Sequence, residues 1–274
     1  MARPPNKHKP SATPAQSPER PTLALRGPRE DTHKIAGLRA VSAVFARDPE
    51  RTERLFFDDR MKAEATEFCK VMSARRKPYR HVPTEELTKI AGSPLHGGIL
   101  VVTRPRPVLT FDVEKAKEWA KAGQPLLILD GVGNPHNLGA IARTMAFFGL
   151  EHLVVSGHPG QALPSEAAYR VAEGGLEWVD VHRAPDLAGV LAAIQPFYRV
   201  IGTALGAHGP LAEVLSRGER PLAIVLGNEE DGLPPQTLAA CEDVATLPGA
   251  GRVQSLNVSA TAAILVHLLA DSRG

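Results

Sequence analysis

Three segments in the second half of the chain concentrate residues able to do chemistry, and each follows an apolar run. The first is Gly131-Val-Gly-Asn-Pro-His-Asn-Leu-Gly-Ala-Ile-Ala-Arg143. Gly131 and Gly133 would open a dinucleotide-binding GxGxxG turn, but His136 takes the third glycine's place, which removes a nicotinamide-dependent oxidoreductase. Asn137 reads as a helix N-cap, and Arg143 projects opposite a stripe of Leu138, Ile141, Met145 and Phe148. Taken alone, such an arginine is ordinarily just solvated. The second segment is Gly227-Asn-Glu-Glu-Asp-Gly232-Leu-Pro-Pro. Its glycines would let a ligand approach the backbone closely, although an acidic turn before a proline-started helix has the same pattern. Spacing does not decide which of Glu229, Glu230 and Asp231 faces inward. The third is Leu247-Pro-Gly-Ala-Gly-Arg-Val-Gln-Ser-Leu-Asn-Val-Ser259, a glycine-rich loop in which Ser255 and Asn257 open the last helix. Asn257 has the simpler reading of a cap, and Ser259, Ala260, Ala262 and Ala263 leave that helix free to pack closely. Nearer the front, Arg75-Arg-Lys-Pro-Tyr-Arg80 sets five groups suited to phosphate contact or base stacking within six residues. A solvated basic turn is its plain alternative.

The elements that must position these loops follow from periodicity. Pro125–Asp130, Leu153–Ser156, Arg199–Ala204, Leu222–Leu226 and Val244–Leu247 read as strands, with Glu177–Val181 as another. Helices are expected at Leu138–Phe148, Ser165–Ala172, Asp186–Ala193, Leu211–Ser216, Gln236–Ala240 and Val258–Leu269. Apolar strands alternating with helices predict a parallel sheet covered on both faces, with its ligand at the C-terminal strand ends. Ahead of this, residues 35–103 alternate α and β on a smaller scale: helices over Gly37–Ala46, Met61–Met72 and Thr84–Ile90, and extended runs at Arg54–Phe57, Tyr79–Val82 and Gly98–Thr103. They predict a small three-layer domain. Pro105 and Pro107 mark a linker, and Val113–Lys121 a polar helix.

The composition, 43% hydrophobic and 23% charged, suits a folded protein. No apolar run nears the roughly 20 residues that span a bilayer, and Cys69 and Cys241 form neither a disulfide framework nor a cysteine zinc motif. A reducing, cytoplasmic setting is expected. The formal net charge of +2 hides an asymmetry: residues 1–34 sum to +4, residues 35–109 to +5 and the remainder to −7. A basic front joined to an acidic rear predicts that the front meets a polyanion.

Together, NxGxxxR (Asn137–Arg143), LGNExxG (Leu226–Gly232) and LPGxGxxxSLNVS (Leu247–Ser259) resemble the three motifs of the SpoU/TrmH family of RNA ribose 2′-O-methyltransferases, within the SPOUT superfamily. Residues 35–105, with His96-Gly-Gly-Ile before the last strand, resemble the small ribosomal-protein-like RNA-binding domain that precedes many members. Ala167-Ala-Tyr-Arg-Val-Ala-Glu-Gly-Gly175 is nearer a less characterised branch, which leaves the target nucleotide open.

The resemblance implies an α/β protein: a small N-terminal ribosomal-protein-like α/β domain, then a SPOUT α/β-knot domain with a mainly parallel sheet and a deep trefoil knot, which spacing alone would never suggest. It divides the chain into a disordered basic Pro-rich extension (1–33), an RNA substrate-binding domain (34–106), a linker helix (107–124) and a methyltransferase domain (125–274). It implies S-adenosylmethionine as cofactor, held by Thr203, Leu226, Gly227, Asn228, Leu247, Pro248 and Leu256. Arg143 then matches the family's catalytic arginine, with Asn137, Glu229, Ser255 and Asn257 orienting it and the ribose. A guanidinium keeps its proton, so Arg143 is read as anchoring a phosphate and stabilising the 2′-oxygen. No metal is expected. Arg75, Arg76, Lys77, Tyr79 and Arg80 would contact RNA. The implied partners are structured RNA, ribosomal favoured over transfer RNA, and a second copy of the chain in a homodimer. A ribosome-assembly factor with vestigial methyl transfer is the alternative, disfavoured because Asn137, Arg143, Glu229 and Asn257 are intact.

Overall fold

The computed structural model describes residues 32–206, 213–214, 218–228 and 230–271. The basic extension up to residue 31, and the helix expected at Leu211–Ser216 apart from Glu213 and Val214, lie outside the described residues.

Two sheets are built in succession. The first holds β1 (His33–Ala36), β2 (Thr52–Phe57), β3 (Tyr79–His81) and β4 (Ile99–Thr103) in the order β1-β4-β2-β3. Helices α1 (Leu38–Arg47), α2 (Ala65–Ala74) and α3 (Thr84–Ala91) connect them. Strand alternation divides the side chains between two faces. Leu55, Phe57, Ile99 and Val101 join the core with Val41, Val44 and Met72 of α1 and α2, while Leu100 packs with Val82 and Leu87 on the α3 side. The expected three layers are present. Helix α2 begins later than periodicity suggested, because Asp58 accepts a hydrogen bond from the backbone N–H of Arg60 and starts a separate turn over Asp59–Met61.

The second sheet holds β5 (Leu109–Thr110), β6 (Leu126–Asp130), β7 (His152–Ser156), β8 (Asp180–Ala184), β9 (Arg199–Thr203), β10 (Leu222–Gly227) and β11 (Asp243–Ala245). Their order is β11-β9-β10-β6-β7-β8-β5, and every neighbouring pair is parallel. The helices are α4 (Val113–Lys121), α5 (Pro135–Phe147), α6 (Glu166–Ala172), α7 (Leu187–Ile194), α8 (Pro235–Ala239) and α9 (Val258–Asp271). Strands β6, β7 and β10 are apolar along their centres (Leu126–Leu129, Leu153–Val155 and Leu222–Leu226) and buried on both faces, as a parallel sheet requires. From β10 the chain steps out to the edge strand β11, then returns across the strand ends to lay α9 against α5 and β10.

Three expectations are corrected. The strand expected over Glu177–Val181 starts at Asp180, and Glu177 instead ends a 3-10 turn, Gly175–Glu177. Asn137 does not cap α5. The cap is Asn134, whose Oδ1 accepts from the His136 N–H, and Pro135 takes the first helical position. Residues 107–124 are built into the second sheet rather than strung between domains: β5 pairs with β8, and α4 packs on α7. The core under α5 and α6 runs without a break into the α1 and α2 face of the first sheet. Across that junction Arg51 Nη2 donates to both carboxylate oxygens of Glu177 at 2.7 Å. No helix among the described residues is long and apolar enough to cross a membrane.

Candidate active site

Neighbouring strands β10 and β6 send their connections to opposite sides of the sheet, the position at which parallel sheets open a crevice at their C-terminal ends. A cavity of about 670 Å³ lies here. Thr203 ends β9 and lines it, as do Leu226, Gly227 and Asn228 at the end of β10. Leu247, Pro248, Ser255 and Leu256 of the last loop form the opposite wall, and Val258 and Leu265 of α9 add apolar surface. The structure thus gathers all seven residues of the implied cofactor set, with Ser255, around one space.

The loops are fixed by their own polar groups. Asn228 and Gly232 exchange backbone hydrogen bonds of 3.0 Å, closing a turn so tight that a Cβ on Gly227 would overlap the carbonyl of Gly232. The Asn228 side chain ties two motifs together. Its Nδ2 donates to the Gly131 carbonyl at 2.9 Å, and its Oδ1 accepts from the N–H groups of Glu230 and Asp231. The Thr203 hydroxyl is spent within the sheet, donating to the Val225 carbonyl at 2.9 Å. Glu230 lines the cavity; Glu229 lies outside the described residues.

Asn137 is buried one turn into α5. Asn257 reaches it from the start of α9: its Nδ2 donates to Asn137 Oδ1 at 3.3 Å, while its Oδ1 accepts from the Ser259 N–H at 2.8 Å and so caps the helix. The cap reading of Asn257 is met, and the same side chain also ties the start of α9 to Asn137. Arg143 lies six residues further along α5, exposed, with Nη1 3.1 Å from Glu173 Oε1. Arg143 is not among the cavity-lining residues, and its acidic partner Glu173 went unnoticed in the sequence because thirty positions separate them.

Residues 124–267 match the family model of the SpoU rRNA methylase family. The chain belongs to that family. Residues 34–109 match a second model, RNA 2′-O ribose methyltransferase substrate binding. The chain is 33% identical to the 23S rRNA (guanosine-2′-O-)-methyltransferase RlmB of Acinetobacter baylyi, over 84% of this chain and 94% of that protein. It is 32% identical to the uncharacterized tRNA/rRNA methyltransferase YfiF of Escherichia coli O157:H7, over 88% of this chain and 69% of that one. Among solved structures, the SpoU methyltransferase AviRb of Streptomyces viridochromogenes in complex with AdoMet shares the fold, with a TM-score of 0.70 at 18% identity over 88% of this chain and 90% of that one.

In this SpoU-family chain the basic run at 75–80 is largely matched by acids. Arg75 pairs with Glu50 at 2.9 Å, Lys77 with Glu53 at 2.7 Å and Arg80 with Glu86 at 3.3 Å. Arg76 takes a left-handed conformation (φ 54) at the turn leaving α2, and Tyr79 is exposed on the edge strand β3. Beside Tyr79 runs a shallow groove lined by Lys62, Lys70 and His81, three cations or potential cations that the sequence motif did not include. The sequence shows no metal-ligand spacing among the histidines, yet folding brings His152, His182 and Asp180 together, with ligand atoms within 4.8 Å of one another. Arg106 already occupies Asp180 at 2.5 Å, and His152 Nε2 is bonded to Gln124 at 3.2 Å. Trp119 stacks on His152 with ring centroids 3.9 Å apart. Burial, then repulsion from His152, lowers the His182 pKa to about 4.

Proposed function

We propose that the protein transfers a methyl group from S-adenosylmethionine to a ribose 2′-hydroxyl of structured RNA, ribosomal RNA in preference to transfer RNA. The observation that carries this reading is the meeting of the loops that follow β9, β10 and β11 around one cavity at the strand ends. The cavity suits that cofactor on its own terms. Its volume lies in the range of small-molecule sites, and its walls combine leucines and glycines with a few polar residues, Thr203, Asn228 and Glu230 among them. In the proposed arrangement backbone groups of Gly227, Leu247 and Leu256 hold the adenine and methionine ends, with Thr203, Leu226, Asn228 and Pro248 shaping the walls.

When bound, the cofactor supplies a methyl group on a sulfonium, an already good leaving group. What remains for the chain is to bring a poorly nucleophilic hydroxyl into line, so most of the acceleration is proximity and orientation. A guanidinium is a poor general base, since it holds its proton tightly. The part of Arg143 is therefore to anchor a backbone phosphate and to stabilise the 2′-oxygen as the proton leaves for phosphate or water. The Asn257–Asn137 bond fixes the starts of α9 and α5 relative to each other, which sets where α5 presents Arg143. Ser255 and Glu229 complete the proposed set around the ribose, and no metal is assigned. Tyr79, Arg75, Arg76, Lys77 and Arg80, with the neighbouring groove, form the proposed RNA surface. Exposed Phe147 on α5 and Ile264 on α9 support a homodimer, and a cytoplasmic location suits an RNA substrate.

Two measurements test the reading. Calorimetry should show binding of S-adenosylmethionine and none of NAD. Mapping ribose methylation in total RNA from a deletion strain against its parent should reveal one lost site. RNA binding without any lost methylation would favour an assembly factor.

A further inference from the structure

We propose that Glu173 positions Arg143 for methyl transfer, and that the short loop carrying it joins this arginine to the front of the chain; the proposal rests on the methyltransferase reading above. The Arg143–Glu173 contact is 3.1 Å between side chains that are both about half exposed. Ion pairs so exposed contribute little to stability. Glu173 nevertheless sits in the left-handed region, at φ 45 and ψ 41, at the end of α6. Glutamate is poorly suited to that conformation, where glycine or asparagine would rest at lower cost. Backbone strain that its visible contact does not offset points to a role in function.

The next residues explain how the strain is held. Gly174 has φ 94 and is pressed against α1: a Cβ there would stand 2.9 Å from the Ala43 Cβ and 3.3 Å from the Ala40 Cα. Gly175 is pressed the other way, against Arg143 itself, since a Cβ there would lie 2.7 Å from the Arg143 Cα and 2.9 Å from the Ala142 carbonyl oxygen. Two residues on, Glu177 is tied to Arg51 in the turn just before β2. The loop is therefore wedged between the front helix α1 and the backbone of α5 at Arg143. A backbone gripped from both sides at Gly174 and Gly175 fixes where Glu173 stands beside α5, and its carboxylate meets one end of the guanidinium. Arginine has five N–H donors in a rigid plane, so the remaining edge stays available to a phosphate or a ribose oxygen.

Aspartate and asparagine have the same shape and both tolerate the left-handed region, so Glu173→Asp and Glu173→Asn differ only in charge. The assay measures single-turnover methyl transfer, with S-adenosylmethionine and ribosomal RNA from the deletion strain both saturating. Transfer should stay within about threefold of wild type in Glu173→Asp and fall about tenfold in Glu173→Asn, as expected when a reacting group loses its orientation. Affinities for cofactor and RNA should stay within about twofold for both. The side-chain Nη–H resonances of Arg143, assigned by their loss in Arg143→Lys, should show slowed exchange in wild type and Glu173→Asp and not in Glu173→Asn. Equal transfer rates in the two variants, or Arg143 resonances indifferent to the charge at 173, would overturn the proposal. A wild-type protein that methylates nothing would overturn the proposed function instead, and the resonances would still decide whether Glu173 holds Arg143.

Discussion

Removing Arg51 should leave the Glu177 carboxylate buried without its counter-ion. Glu177 has no solvent exposure and Arg51 only 5%, and their two hydrogen bonds are each 2.7 Å. Breaking such a pair from one side costs about 3–5 kcal/mol, whereas replacing both partners by apolar groups of similar size is close to neutral. Arg51→Ala should therefore lower stability by about 4 kcal/mol, or roughly 10 °C in Tm for a chain of this size. Arg51→Met with Glu177→Leu should recover most of that loss. Burial pushes the Glu177 pKa above the usual carboxylate range, while Arg51 and then Arg106 pull it back. For an acid raised in this way the folded state favours the protonated form, so its contribution to stability is present at low pH and lost as pH rises through the folded pKa. Without Arg51 the pKa rises further, and the deficit of Arg51→Ala should be larger at pH 8 than at pH 5. Urea unfolding followed by tryptophan fluorescence reports on this region, because Trp178 adjoins Glu177 and lies 4.9 Å from the Arg47 guanidinium. A loss below about 1 kcal/mol, a double variant as unstable as the two single losses combined, or a deficit that ignores pH would refute the reasoning.

Three further outcomes are expected. Arg143→Ala should bind S-adenosylmethionine within a few-fold of wild type yet transfer no methyl group; normal product yield would remove Arg143 from the mechanism. Gly227→Ala forces a Cβ onto the Gly232 carbonyl and should weaken cofactor binding at least ~10-fold, given how small displacements act in tight sites; calorimetry showing unchanged affinity would contradict the cavity assignment. His182 titrates near pH 4 when folded, below its unfolded value near 6.5, so the unfolded chain binds more protons in between. The resulting stability is present above pH 6.5 and lost as pH falls towards 4, by about 2 kcal/mol once solvent relaxation is allowed for. His182→Phe, set beside Phe111 and Trp119, should flatten that part of the melting curve between pH 7 and 4.5, and an unflattened curve would count against a buried neutral imidazole.

What the sequence revealed of this molecule lies mostly within single elements. Val113–Lys121 reads as a helix in the sequence, and in the structure Asp112 caps it, accepting from the N–H groups of Glu114 and Lys115. Strands β6 and β10 announced themselves as apolar runs, and the loops after them by glycine. Asn137 was misassigned for a local reason, since the Asn134-Pro135 pair is the stronger start signal. Glu177 was misassigned for a distant one: a charged residue in an apparent strand becomes a turn because its partner, Arg51, stands 126 positions away. Periodicity marks a small α/β unit but says nothing of the face by which its core joins that of α5 and α6. The histidine pair shows the same limit, because His152 and His182 meet only through the parallel pairing of β7 with β8.

The segment Glu173-Gly174-Gly175 separates two kinds of constraint that a motif alone would merge. Gly174 and Gly175 are required by space, one by the side chain and backbone of α1 and the other by the backbone of α5. Any larger residue at either place would push the first sheet and the Arg143 helix apart. Glu173 has no such compulsion. Its backbone favours glycine or asparagine, its side chain is exposed, and the partner its carboxylate meets is the guanidinium of Arg143. The two glycines thus account for the closeness of the wedge, and only the chemistry of Arg143 accounts for the acid. A variant that keeps both glycines and replaces the acid should therefore keep the fold's junction intact while changing the rate of transfer.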